Sequence, residues 1–197
     1  MVEGHGTHRV GQRLRQMMVG RVFRASSPNG RFTEGANLIN NKPFYRIEAV
    51  GKNLFGFWGQ PESPTVVHVH FGMSGRWSIT TAPDEVPEVK PTTRLVLKAE
   101  GLEAHLSAMT CDVGGVELYH AKRAKLGADP LRDDADADAL WKKVQKAKRS
   151  IGALIMDQAF FCGPGNIYRA EILFKAGVHP ETPGIGFIAH PTDRLCD

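Results

Sequence analysis

An α+β protein is predicted from this 197-residue chain: an antiparallel β-sandwich entered through one N-terminal helix, then a helical domain. Three observations carry the prediction. Short runs of alternating apolar and polar residues, broken by Gly, Pro and Asn turns, fill residues 22–109. The character changes after Tyr119. Apolar residues at helical spacing bracket the β-rich part on both sides.

Val10, Leu14, Met17 and Met18 lie on one helical stripe within His5–Gly20, with Arg9, Arg13 and Arg15 off it; Gly6 and Gly11 weaken the helix and Gly20 stops it. Strands are predicted at Val22–Ser26, Phe44–Val50, Asn53–Trp58, Thr65–Phe71, Arg76–Thr80, Thr92–Lys98 and Glu103–Met109, with a loop from Pro83 to Pro91. They read as a sandwich or barrel. Gly127–Asp138 is a Pro- and Asp-rich connection ending at a predicted N-cap, Asp138. Helices follow at Ala139–Arg149, Ile151–Ala159 and Ile167–Ala176. The domains divide into residues 1–124 and 125–197.

Composition is that of an ordinary globular protein, 42% hydrophobic and 23% charged. The net charge is +4, unevenly spread. Residues 1–58 hold nine basic and three acidic groups, 59–120 four and eight, and 121–197 twelve and ten. Two basic regions around an acidic middle suit a polyanion held between them, or a plain solvated surface. Cys111, Cys162 and Cys196 form no CxxC pair, so neither a disulfide scaffold nor a zinc site is expected. The N-terminus has no signal-peptide core, and no apolar run is long enough to span a membrane. The expectation is a soluble protein of a reducing compartment.

The turn Gly163-Pro164-Gly165-Asn166 joins two helices and offers free N–H groups and an Asn side chain to a phosphate. Alone it reads equally as a connector. Its neighbours extend it: Ile151–Gln158 before it, then Ile167-Tyr168, Arg169–Phe174 and Gly177-Val-His-Pro180. Together they resemble the helix–two-turn–helix module of the Fpg/Nei family of DNA glycosylases. Met1-Val-Glu-Gly4, Val50–Phe55, His70–Gly75 and Leu126–Leu131 match further family segments in order. His5, His8-Arg9, Ser26–Phe32 and His68-Val-His70 lean towards the endonuclease VIII-like branch. The resemblance runs from residue 1 to about residue 187.

The resemblance implies a base-excision-repair glycosylase with AP lyase activity, acting through a Schiff base between the α-amine of Val2 and deoxyribose C1′. Val2 stands where the family has proline, making the nucleophile a primary amine, free once Met1 is removed. An α-amine is neutral near pH 7 roughly 300 times more often than a lysine amine, from their ordinary pKa values. The implied roles place Glu3 as general acid/base beside the amine. Lys52 belongs to the catalytic set and grips phosphate, His70 and Asn166 also hold the backbone, and Met73 fills the gap left by the everted nucleotide. Each residue also has a plainer reading, as packing or solvated surface. Gly6 replaces a second family glutamate. The basic run 142–149 reads as a solvated face with some attraction for DNA.

Met109–Gly114 lacks the Arg and Phe with which Fpg-type enzymes probe the orphaned base. Oxidised pyrimidines and ring-opened purines are therefore expected ahead of 8-oxoguanine. The family's C-terminal zinc finger is not found before Asp197, so a weakened DNA clamp is expected. The resemblance further implies damaged DNA as partner, no metal or other cofactor, no membrane, a monomer, and a location in the nucleus or another DNA-containing compartment, the cytoplasm in a bacterium. Two rivals remain at this stage: an inactive remnant that binds abasic or single-stranded DNA, and an RNA-binding scaffold.

Overall fold

A computed structural model describes residues 3–81, 86, 88–185 and 187. Val2, Cys196, the chain end and part of the Pro83–Pro91 loop lie outside them. Helix α1 (Gly4–Met18) leads into strands β1 (Arg21–Val22) and β2 (Arg24–Ser26), helix α2 (Thr33–Ile39), and strands β3 (Pro43–Val50), β4 (Asn53–Gln60), β5 (Ser63–His70), β6 (Arg76–Thr80), β7 (Leu95–Ala99), β8 (Leu102–Ser107) and β9 (Thr110–Gly114). Helices α3 (Val116–Arg123), α4 (Ala137–Val144), α5 (Ile151–Met156) and α6 (Asn166–Ala176) complete it. The strands form two antiparallel sheets, ordered β1-β3-β4-β5-β9 and β2-β7-β8-β6. The α+β prediction is met by a sandwich of two open sheets.

The main core lies between the sheets, where Leu14 and Met18 of α1 meet Phe23, Phe44, Ile47, Leu54, Trp58, Leu95, Leu97 and Leu106. Small residues on the inner stripe of α1 bring it close: at Gly11 an added Cβ would stand 3.2 Å from Leu54. The glycine that weakens α1 as an isolated helix therefore serves its packing. Strand β4 is central and buried on both faces. Its Leu54 and Trp58 enter the main core, while Phe55 and Phe57 pack with Val50, Val66 and Cys162 on the outer face. Gly56 leaves room for the Trp58 indole, which stacks on Phe44 at 4.3 Å. A separate helical core joins Val144, Ile151, Leu154, Ile155 and Leu173.

Several expectations need correction. The predicted strand Val22–Ser26 divides at the fully buried Phe23, giving β1 to one sheet and β2 to the other. The strand predicted over Thr92–Lys98 begins only at Leu95. The N-cap of α4 is Asp136, whose carboxylate accepts from Ala139 N at 2.8 Å, and not Asp138. That helix stops at Val144, short of Arg149, and α5 stops at Met156, short of Ala159. Three elements escaped the sequence. Helix α2 contains Gly35 and Asn37 and no side-chain cap; burial of Ala36 and Ile39 holds it. Helix α3 has no fully buried residue and is tied down by Tyr119, whose ring meets Phe55 and Phe57 edge-on. Strand β9 is recruited by the edge of β5.

Trp58 Nε1 is buried and has no acceptor among the described residues. Replacing Trp58 by Ala opens a core cavity and is expected to cost about 4 kcal/mol in urea unfolding. Trp58→Phe keeps an aromatic ring and removes the unpaired N–H, so its cost should fall well below that value.

Candidate active site

Three separate stretches of chain meet at three glycines. Gly4 opens α1, Gly51 turns β3 into β4, and Gly163 lies between α5 and α6. Gly4 N donates to Gly163 O at 3.0 Å, and a Cβ on Gly4 would come within 2.9 Å of Gly163 Cα. Gly51, at φ +57°, has Cys162 Sγ where a Cβ would stand, and Gly163 adopts φ +121°. Both dihedrals lie in the region glycine enters without strain. Gly51 thus serves twice, once for the turn and once for the approach.

Asp129 joins two of these stretches from below. Its Oδ2 accepts from Gly51 N at 2.6 Å and His8 Nε2 at 2.8 Å, while Oδ1 accepts from Leu131 N at 3.0 Å. Burial would raise its pKa, but the His8, Gly51 and Leu131 donors outweigh burial and hold the carboxyl below its ordinary range. The Gly163 turn is braced by Gln158, whose Oε1 accepts from Gly163 N at 3.0 Å and whose Nε2 donates to Pro164 O at 2.9 Å. Arg132 donates to Ala49 O at 3.1 Å and fixes the connection to the end of β3.

Around this junction the structure gathers four of the sequence-predicted residues. Glu3 is 4% exposed, although a terminal glutamate would ordinarily lie in water. Its carboxylate reaches the N-terminus of α6, where Oε1 accepts from Ile167 N at 3.2 Å. Oε2 is buried and has no hydrogen-bond partner among the described residues. Gly165 makes the space, since a Cβ there would stand 2.7 Å from both carboxylate oxygens. Asn166, the first residue of α6, is exposed beside it.

Lys52 follows Gly51 and is half-buried. The register pairs its neighbour Asn53 with His70, at the end of β5. Burial first, then the charges of Lys52 and Lys122, hold the His70 pKa below its ordinary value. His70 Nδ1 accepts from Gly72 N at 3.2 Å, which places the proton of the neutral ring on Nε2, available as a donor. Asn53 is itself held: His68 Nε2 donates to its Oδ1 at 2.9 Å, and its Nδ2 donates to Val50 O at 3.2 Å. The other His68 nitrogen lies 3.2 Å from Asp112, which also receives Lys122 at 2.8 Å.

Met73 stands apart from the four, on the turn joining β5 to β6, and is 80% exposed. Core packing, its plainer reading, is excluded by that exposure. The turn closes tightly, with Gly75 N donating to Phe71 O at 3.0 Å. Val2, one peptide before Glu3, lies outside the described residues. Cys111 and Cys162 are no nucleophiles: burial pushes each thiol up to about 12. Among the described residues no group of three or more His, Cys, Asp or Glu could hold a metal ion. In the basic run, Arg149 pairs with Asp157 at 2.5 Å and Lys143 lies over the Phe160 ring.

The geometry has counterparts among known proteins. The family description of the formamidopyrimidine-DNA glycosylase N-terminal domain matches residues 1–112, and that of its H2TH domain matches residues 126–197. The chain belongs to the formamidopyrimidine-DNA glycosylase family. It is similar to Endonuclease 8 1 of Mycobacterium tuberculosis, 36% identical over 191 residues, covering 94% of this chain and 69% of that protein. It is also similar to the formamidopyrimidine-DNA glycosylase of Stutzerimonas stutzeri, 32% identical over 142 residues, 70% of this chain and 52% of the other. The solved complex of Lactococcus lactis Fpg with DNA containing an abasic site superposes with a TM-score of 0.79 at 22% identity, covering 94% of this chain and 71% of that one. That likeness shows the fold.

Sequence reasoning named Glu3, Lys52, His70, Met73 and Asn166 but missed the glycosylase's supports. Asp129 was visible only as part of Leu126–Leu131, and Gly165 only as a letter in a turn. The buried acid of a family member's interdomain segment was the available signal. What it binds cannot be read from spacing across 78 residues to Gly51.

Two outcomes follow from this geometry. Asp129→Asn cannot accept all three donors and is expected to cost about 2 kcal/mol at pH 7. Because the folded pKa is depressed, that stabilisation is present above the ordinary carboxyl value of about 3.9 and is lost as pH falls through the folded value. Urea unfolding in acid should therefore show wild type and variant converging; an undiminished gap would assign the effect to packing. Gly165→Ala, at a position with ordinary backbone angles, should stay folded while its methyl displaces the flexible Glu3 carboxylate. Base excision should then fall at least tenfold with an unchanged melting temperature.

Proposed function

We propose that this DNA glycosylase of base-excision repair removes oxidised bases, oxidised pyrimidines foremost, and then cleaves the strand at the abasic site, using the Val2 α-amine as nucleophile. The observation that carries the proposal is the Glu3 carboxylate, buried one peptide from that amine, with one oxygen held by α6 and the other without a hydrogen-bond partner among the described residues. An acid so placed has a helix to orient it and an oxygen left to exchange a proton.

The chemistry requires nothing beyond the chain and its substrate. The amine lone pair attacks C1′ of the everted nucleotide, and the C1′–base bond breaks with its electron pair leaving on the base, which takes up a proton. The amine loses a proton to the Glu3 carboxylate, its lone pair forms C1′=N, and the C1′–O4′ bond breaks with its electron pair on O4′, which receives that proton from Glu3. Loss of a C2′ proton from the protonated imine then expels the 3′ phosphate, giving AP lyase cleavage, and water hydrolyses the imine. Lys52, His70 Nε2–H and Asn166 hold phosphates about the lesion, and Met73 enters the stack in place of the everted nucleotide. The electrophile is the substrate's sugar, so no cofactor takes part. DNA is the partner of a monomer, in whichever DNA-containing compartment the protein occupies; no described helix is long and apolar enough to cross a membrane.

The Met109–Gly114 segment supports the substrate preference, since it forms edge strand β9 and supplies no arginine or phenylalanine to question the orphaned base. Borohydride reduction during reaction should trap the imine as an adduct of defined mass. Protein with a free Val2 terminus is expected to crosslink through Val2 to oligonucleotides containing an abasic site or an oxidised pyrimidine. In Glu3→Gln the excision rate should fall about 10²–10⁴-fold. Trapping on the abasic site alone would limit the enzyme to lyase chemistry. A folded protein with a free terminus and no adduct on either would leave only DNA binding.

A further inference from the structure

We infer that His68 is a positioning residue for Lys52: its charged ring locks the Asn53 side chain across the Val50–Asn53 turn, and its neutral ring releases it. His68 is 3% exposed and lies opposite Phe55 in the register, its ring packed against the Phe55 ring at 5.1 Å.

Asn53 bridges the turn that carries Lys52. Its Nδ2 donates to Val50 O at 3.2 Å, at the other end of that turn, and its Oδ1 faces His68 Nε2 at 2.9 Å. The Val50 carbonyl only accepts, so it fixes which way the amide points, and Nε2 must then carry a proton. The other ring nitrogen, Nδ1, lies 3.2 Å from Asp112 Oδ2. Burial would raise the Asp112 pKa, but its bonds to Lys122 and His68 outweigh burial and hold it below the ordinary value, as a carboxylate. Both ring nitrogens therefore face acceptors, an arrangement that only an imidazolium satisfies.

The surroundings do not hold that charge permanently. Burial is the largest influence on the His68 pKa and lowers it; Asp112 acts against burial, and the charges of Lys122 and His70 act with it. Among the described residues, Asp112 faces the ring from β9, Lys122 from α3 and His70 from β5 itself. Strand β4 offers Asn53 and Phe55, and Tyr119 of α3 gives its hydroxyl to Glu48. The resulting pKa lies below the ordinary value of about 6.5, so the ring loses its proton as pH rises towards neutrality.

A neutral ring can donate to one acceptor only. The carboxylate is the stronger, so the remaining proton stays on Nδ1 and Nε2 becomes an acceptor. The Asn53 amide must then rotate to bring Nδ2 to Nε2, which takes the donor from Val50 O and sets Oδ1 against it. Gly51 N remains tied to Asp129 at 2.6 Å. Lys52 lies between that fixed end and the released one, so the His68 proton decides whether its backbone is clamped on both sides or on one. A clamped lysine meets a phosphate without first having to be ordered. The inference rests on the DNA-binding part of the proposed function and adds a residue that positions its lysine.

Wild type, His68→Gln, Lys52→Ala and the double variant are compared by fluorescence anisotropy on a duplex containing a stable abasic-site analogue, from about pH 8 to about pH 5. Affinity should rise as pH falls in every protein, since each keeps His70. The rise should be roughly fivefold or more greater in wild type than in His68→Gln. Lys52→Ala should already have lost that excess, and adding His68→Gln to it should change its pH dependence no further. A merely structural His68 would weaken binding equally at every pH, and that result overturns the inference. Because a buried variant can fail to fold, wild type is also titrated by NMR without DNA. The Asn53 side-chain amide resonances should move with the same midpoint as the His68 ring nitrogens, as the ring passes from two N–H groups to Nδ1–H alone. A ring that keeps one protonation state throughout, or an Asn53 amide indifferent to it, overturns the inference whatever the binding shows. Failure of folded wild type to bind any duplex, with the resonances moving as expected, would overturn the DNA-binding reading and the role for Lys52 with it.

Discussion

The close meeting of Gly4, Gly51 and Gly163 is the constraint on which the molecule's other arrangements depend. A Cβ on Gly4 or Gly51 would push the start of α1 or the β3–β4 turn away from the α5–α6 turn, while Gly163 holds a φ of +121° that residues with side chains rarely adopt. Each of these stretches delivers one functional group beside its glycine: Glu3 before Gly4, Lys52 after Gly51, Asn166 three residues past Gly163. The glycines contribute no chemistry. On the proposed function, they set the distance at which a terminal acid, a hairpin lysine and a helix N-terminus would act on one nucleotide. Asp129 ties the junction together by accepting from α1 and from the hairpin at once.

That arrangement also divides the charge. Glu3 is buried at the N-terminus of α6, where Ile167 N donates to one of its oxygens. Lys52 follows the β3–β4 turn and His70 ends β5, where burial first and then the charges of Lys52 and Lys122 lower the His70 pKa and Nδ1 accepts from Gly72 N. On the proposed function, the acid that exchanges protons with the sugar and the groups that hold phosphate are then contributed by different elements.

The sandwich presents its working parts at one end. His70 closes β5, Met73 tops the turn into β6, and Met109, 61% exposed, stands in the turn from β8 into β9. Gly72 packs against the Met109 side chain, so the two crossings between sheets support each other. Rigid strands below and short turns above would suit the insertion of a side chain into a stacked duplex that the proposed function assigns to Met73. Arg94 braces the second turn, donating to Ala108 O at 2.7 Å and to Met109 O at 3.0 Å.

The sequence alone determined the α+β class, most of the strands, the helical second domain and the family, because alternation, helical spacing and the Gly-Pro-Gly-Asn turn are local patterns. It also named Glu3, Lys52, His70, Met73 and Asn166, through segments matched in order. Only the tertiary structure decided which of these converge and what holds them. Helices α2 and α3 and strand β9 have weak local signals and form because a partner surface covers or pairs them. Asp129 meets His8 across 121 residues, and Glu3 meets Ile167 across 164. No periodicity encodes such a pairing; it exists only once two domains close on three glycines.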